Sequence, residues 1–174
     1  MQALNKKTYF EQLMLPHLDA AFNLARWLTR NNQDAEDMVQ EAYLRAFKSF
    51  GTFHGTESRA WLLTIVRNTC YSWLQRNQRL GELAMFDDEL DDVDCDSPNA
   101  EKLLLEQVDH QILHEALNEL PLEFREAFVL RELEDMSYKE IAQITHVPLG
   151  TVMSRLARAR KRLQQSLAKR MNGA

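Results

Sequence analysis

Glycine and proline are scarce in this chain and fall mostly between stretches whose apolar residues recur at helical spacing. Gly51 and Gly55, Gly81, Pro98, Pro121 and the Pro148/Gly150 pair mark the breaks. What lies between them reads as helix, so the pattern predicts an all-α fold. The first helix is expected over Tyr9 to Thr29, with Phe10, Leu13, Met14, Leu18, Ala21, Phe22, Ala25 and Leu28 on one side and Pro16 kinking or splitting it. A second opens on Asp34 as N-cap, and Ala35, Met38, Val39, Ala42, Tyr43, Ala46, Phe47 and Phe50 complete its buried face. A third, Ser58 to Arg79, turns Leu62, Ile65, Val66 and Trp73 toward a core.

At 174 residues the chain can build one ordinary domain or two small ones, and its charge is segregated. The net charge of -5 hides an acid-free stretch from Ser58 to Leu80 carrying Arg59, Arg67, Arg76 and Arg79. It also hides seven acids between Asp87 and Asp96 with no base, then seven bases between Thr151 and Arg170 with no acid. Gly81 to Asn99 is Asp-rich and aperiodic, the composition of a linker. Two small helical domains, 6–80 and 106–170, are therefore expected, joined by an acidic flexible linker over 81–105. No uncharged apolar run approaches the roughly 18 residues of a membrane span, and Lys6, Lys7 and Glu11 interrupt any signal-peptide core. A cytoplasmic protein without membrane insertion is expected.

The polar side of the second helix carries Asp37, Gln40, Glu41 and Lys48, with Leu44 standing among them. A lone surface leucine is ordinary, and a single apolar anchor ringed by polar groups is also how a helix docks a protein; the residues leave both open. On the third helix Thr64, Asn68, Tyr71, Ser72, Gln75 and Arg79, flanked by Arg67 and Arg76, form either a solvated face or one able to neutralise phosphates and stack on bases. The preceding loop, Gly51 to Glu57, adds Phe53, His54 and two glycines that permit close approach.

In the last third, Ser137-Tyr-Lys-Glu140 is a capping box before Ile141, Ala142 and Ile144, and His146-Val147-Pro148 ends that short helix. Another helix opens near Pro148 to Gly150 and runs to about Leu167 with Val152, Leu156, Ala159 and Leu163 inward. Two helices, a tight turn with Val147 in it and a basic second helix make a helix-turn-helix. Thr151, Ser154, Arg155, Arg158 and Arg162 share the recognition face, the early ones placed for base edges and the later ones for phosphates.

These residues carry a family resemblance. Leu120-Pro-Leu-Glu-Phe-Arg-Glu-Ala-Phe-Val-Leu-Arg-Glu132, Met136-Ser-Tyr-Lys-Glu-Ile-Ala142 and Gly150-Thr-Val-Met-Ser-Arg-Leu-Ala-Arg-Ala-Arg160 resemble region four of the extracytoplasmic-function sigma factors of bacterial RNA polymerase. Asp34-Ala-Glu-Asp-Met-Val-Gln-Glu-Ala-Tyr-Leu-Arg-Ala46 and Arg59-Ala-Trp-Leu-Leu-Thr-Ile-Val-Arg-Asn68 resemble region two of the same family, in the family's order. The resemblance implies a sigma factor that binds core polymerase and directs initiation at a specific set of promoters. Asp37, Gln40, Glu41, Leu44 and Lys48 would dock the clamp of the largest polymerase subunit, and region four would meet the flap of the second-largest. Phe53, His54, Arg67, Asn68, Tyr71, Ser72, Gln75 and Arg76 would open and read the minus-ten element of promoter DNA, where flipping a base costs a few kcal/mol. Thr151, Ser154, Arg155, Arg158, Lys161 and Arg162 would read the minus-thirty-five element. The acidic linker would thread toward the RNA exit path, and an anti-sigma factor would cover both DNA surfaces. Met153 departs from the family, whose members commonly carry Lys there, which bears on a phosphate contact or on sequence preference. Nothing in the chain corresponds to the extra regions of housekeeping sigma factors, so a compact two-domain subclass is implied.

Two other readings stay open: a stand-alone helix-turn-helix regulator, and a sigma-like decoy that sequesters an anti-sigma factor. An enzyme is not expected. His110 and His114 lie one turn apart beside Glu106 and Glu115 but without a third metal ligand in view, which reads as a solvated face. Cys70 reads as a buried apolar residue and Cys95 as a linker thiol open to oxidation. No phosphate loop, catalytic triad or cofactor motif is present in the sequence, so no cofactor or metal is expected.

Overall fold

The computed structural model describes residues 2–77 and 110–172, and every regular element among them is helical. The acidic linker, with Arg79, Cys95 and Glu106, lies outside the described residues. Helix α1 (Gln2–Met14) gives way at Pro16 to a 3-10 turn (Leu15–His17), and α2 (Leu18–Thr29) resumes the path, so the proline splits the expected first helix. The Tyr43 hydroxyl, on α3 (Asn32–Lys48), donates to the Met14 carbonyl at that break at 2.7 Å. Burial pushes the Tyr43 phenol up to about 12, which keeps it a donor.

Helix α3 begins earlier than the sequence suggested. Asn31, not Asp34, is its N-cap: Asn31 is extended, and its side chain accepts from the Asp34 amide at 3.0 Å. Asp34 then sits in the first turn, where its charge complements the helix dipole. Ala35, Met38, Val39, Ala42 and Ala46 are buried as the period required. They meet α2 and α4 (Ser58–Arg76). Phe10 stands edge-on to Tyr43, Phe47 and Phe50, closing one end of this three-helix packing. Cys70 is fully buried on α4, and burial pushes its thiol up to about 12, so it behaves as an apolar residue.

The second part contains α5 (His110–Glu119), α6 (Leu122–Phe128), a π turn (Val129–Leu133), α7 (Tyr138–Thr145) and α8 (Leu149–Asn172). Val152, Leu156, Ala159, Leu163 and Leu167 of α8 pack on α5, α6 and α7. The capping box of α7 is present in both directions: Ser137 Oγ accepts from the Glu140 amide at 3.1 Å, and the Ser137 amide donates to Glu140 Oε1 at 3.0 Å. Ser137→Ala should therefore lower the free energy of unfolding by about 1 kcal/mol, measurable as a shifted urea midpoint at constant slope; an unchanged midpoint would show that α7 is held by packing alone.

The two helical regions do not stand apart. Helix α4 packs on α7 and α2 packs on α6, and one apolar core runs through both. Helix α6 explains this. Leu122, Phe124, Arg125, Glu126, Ala127 and Phe128 are all buried, and a helix buried on every side needs partners on every side.

Candidate nucleic-acid interface

The segment from α7 through the turn into α8 has the geometry of a helix-turn-helix. His146 ends α7 in the left-handed conformation with φ 58°, and the Val147 amide closes the turn on the Ala142 carbonyl. The Thr151 and Val152 amides fold back on the Pro148 carbonyl, launching α8 at once. Thr151, Ser154, Arg155 and Arg158 then converge with Phe124, Pro148 and Gly150 around a cleft of about 480 Å³. Arg155 Nη2 lies 3.4 Å from Glu123 Oε2, and the side chain is mostly covered. Lys161 points to solvent, while the Arg162 guanidinium lies 5.3 Å from the centre of the Phe124 ring. Met153 is exposed beside this face.

The α4 face divides into two sets. Asn68, Gln75, Arg76 and the loop residue His54 are exposed, and Ser72 is half-buried. Arg67 and Tyr71 are turned into the junction with the second region. Arg67 Nε donates to Glu126 Oε2 at 3.0 Å, and its guanidinium lies 3.7 Å from the centre of the Tyr71 ring. Glu126 is 0% exposed. Burial raises its carboxyl above the usual range and Arg67 opposes that shift only in part; burial, then the Glu126 charge, also holds the Tyr71 phenol well above its ordinary value. Phe53 is not free either: it is half-buried, stacked on Phe50 at 6.1 Å and packed on Trp61 at 5.1 Å. His54, Asn68, Gln75 and Arg76 are thus open to solvent in this arrangement, whereas Phe53, Arg67 and Tyr71 are partly covered.

On the polar side of α3, Asp37, Gln40 and Lys48 are exposed, and Glu41 pairs with Arg45 at 2.6 Å. Leu44 is 64% exposed at their centre, the most exposed large apolar residue described.

Sequence reasoning missed the groups that join the regions. Arg125 is 1% exposed; its Nε donates to the Trp27 carbonyl and its Nη1 to the Leu120 carbonyl, each at 2.7 Å. Those carbonyls are left over in the last turn of α2 and just beyond α5, so one guanidinium ties the ends of two helices. Burial, then the neighbouring Arg30, pulls Arg125 down to about 9. Asn23 Nδ2 donates to Glu134 Oε1 at 2.7 Å, and the Trp27 and His114 rings lie 4.7 Å apart across the same junction. His114 is exposed on α5 as expected, with its ring also against Trp27. The available signal was the Arg125-Glu126 pair inside an apolar run.

Known proteins agree with this geometry. The family model for sigma-70 region 2 matches residues 13–80, and that for sigma-70 region 4 matches residues 110–163. The chain is 36% identical over 160 residues to the ECF RNA polymerase sigma factor SigE of Mycolicibacterium smegmatis, covering 92% of this chain and 62% of that protein, so it spans less than two thirds of that relative. It is 35% identical over 153 residues to the ECF RNA polymerase sigma-E factor of Haemophilus influenzae, covering 83% of this chain and 79% of that one. The fold matches the sigma factor RpoE in its complex with the anti-sigma factor NepR from Bartonella quintana, with a TM-score of 0.71 and 30% identity over 91% of this chain and 96% of that chain. Paired helical regions of sigma-70 type, the second carrying a helix-turn-helix, define the class. The chain belongs to the extracytoplasmic-function sigma factors.

Proposed function

We propose that the chain binds core RNA polymerase in the cytoplasm and directs transcription from promoters with paired minus-ten and minus-thirty-five elements, under the control of an anti-sigma factor. Its work is binding rather than catalysis. The observation that carries this is Leu44, exposed at the centre of a polar helix face in a chain that also has a basic recognition helix. A stand-alone regulator needs the second surface but not the first. Asp37, Gln40, Glu41, Leu44 and Lys48 dock the polymerase clamp, and the second region meets the flap. Thr151, Ser154, Arg155 and Arg158 read the minus-thirty-five element in the major groove, with Lys161 and Arg162 on phosphates.

His54, Asn68, Ser72, Gln75 and Arg76 contact the minus-ten strand, joined by Phe53, Arg67 and Tyr71 once the two regions part. The Arg67–Glu126 pair must break for this, because it holds Arg67 in the junction between the two regions, with the Arg67 side chain mostly covered. Anti-sigma control fits such a chain: a partner lying across both regions would hold these groups inward. The RpoE relative is bound to an anti-sigma factor in its own structure.

The test is co-elution of the purified chain with core polymerase, followed by transcription from a promoter library. Initiation at a shared two-element motif is expected. Tight duplex binding by the chain alone, without co-elution, would make it a stand-alone regulator. Within that assay, Arg155→Ala should cost ~1–3 kcal/mol of discrimination among minus-thirty-five variants; an unaltered ranking of those variants would remove Arg155 from base recognition.

A further inference from the structure

The recognition helix opens with an apolar pair that takes no part in the polar contacts assigned above. Leu149 is 48% and Met153 41% exposed, one turn apart at the start of α8. A single surface leucine is ordinary. Two large apolar side chains in succession on a segment that carries seven bases and no acid from Thr151 to Arg170 are out of keeping with its charge.

Their place on the helix says what they face. Gly150 precedes Met153 by three residues and Ser154 by four, so these three share one side of α8. Gly150 and Ser154 in turn line the cleft with Thr151, Arg155 and Arg158. The space outside Gly150 is open, so a surface brought against Ser154 comes against Met153 as well. A DNA major groove offers one apolar group to such a side chain: base edges there present hydrogen-bond donors and acceptors, and only thymine adds a methyl, at C5. Methionine is unbranched, flexible and polarizable, which lets it settle on a group that small.

We infer that Met153 is a specificity-determining residue for the minus-thirty-five element, seated on the C5-methyl of a thymine, with Leu149 shielding the contact from water. The assignment rests on the sigma-factor reading of α8 and adds an apolar component to a readout otherwise made of hydrogen bonds and phosphate contacts.

The experiment uses holoenzyme, the full chain with core polymerase, and duplex carrying the two-element motif recovered from the promoter library. Each thymine of the minus-thirty-five element, on either strand, is replaced in turn by deoxyuridine, which lacks only the methyl group, and affinity is read by competition. One replacement should weaken wild type about fourfold, the loss of one buried methyl. Met153→Gln keeps the length of the side chain and removes its apolar end, so the same replacement should leave the affinity of that variant unchanged. Met171→Gln, the same change at an exposed methionine near the far end of α8, should keep the wild-type response. Insensitivity of wild type to every replacement, or an equal response in Met153→Gln, would overturn the assignment. So would weaker binding of Met153→Gln to core polymerase alone, which would make the apolar pair a protein contact. A chain that initiates at no two-element motif fails as a sigma factor, and this assignment falls with it; one that initiates but ignores the methyl loses this assignment alone.

Discussion

Arg67→Ala should loosen the packing of the two regions by about 3 kcal/mol at pH 7, because it strands the carboxylate of Glu126 in a buried site. The effect should depend on pH in a defined direction. Burial raises the Glu126 carboxyl above its value in the separated or unfolded chain, so the packed form holds the proton more tightly. Stability from the protonated group is complete below the unfolded value and is lost as pH rises through the folded one. Removing Arg67 takes away the charge that opposes this shift, so the deficit should be largest near pH 7 and shrink toward pH 5. Urea unfolding of wild type and variant at both pH values measures it. Glu126→Gln, which has no carboxylate to strand, should abolish the difference between pH values. Identical midpoints for wild type and Arg67→Ala at pH 7 would show that the buried pair contributes nothing to holding the regions together.

Leu44→Asp should weaken binding to core polymerase roughly 30-fold, or about 2 kcal/mol, the loss expected when an apolar anchor at an interface centre becomes a charge. Folding should be untouched, with the free energy of unfolding within about 0.5 kcal/mol of wild type, because the side chain is already in water. Fluorescence anisotropy of labelled chain against core polymerase gives the first number and urea unfolding the second. Wild-type affinity in a folded variant would return Leu44 to the ordinary surface.

Helices α3 and α8 were legible because their apolar periods are complete, whereas α4 buries Leu63, Cys70 and Leu74 and leaves the expected Ile65 and Trp73 only partly covered. Val152, Leu156, Ala159 and Leu163 point inward on α8 as spacing required, and Pro16 breaks the first helix where its missing amide must. The start of α3 was misplaced because Asn31, Asn32 and Asp34 can all cap a helix, and the choice depends on the extended backbone of Asn31. Surfaces were harder. Arg67, Tyr71 and Phe53 have the chemistry of a nucleic-acid face, and the sequence holds no local sign that α6 and an aromatic cluster cover them. Arg125 and Glu126 look like solvated charges until the helix carrying them is buried on all sides. Periodicity reports which face is apolar; it does not report which partner lies on a polar one.

The core that runs through both regions sets the equilibrium from which every partner must draw. If the packed form is favoured tenfold, any ligand that needs the regions apart binds with its affinity reduced by that factor, about 1.4 kcal/mol. Two such ligands share the deficit: whichever binds first relieves it for the second. Polymerase and promoter would then be thermodynamically cooperative without touching each other, and a mutation at Glu126 would tune both affinities at once from a site that contacts neither.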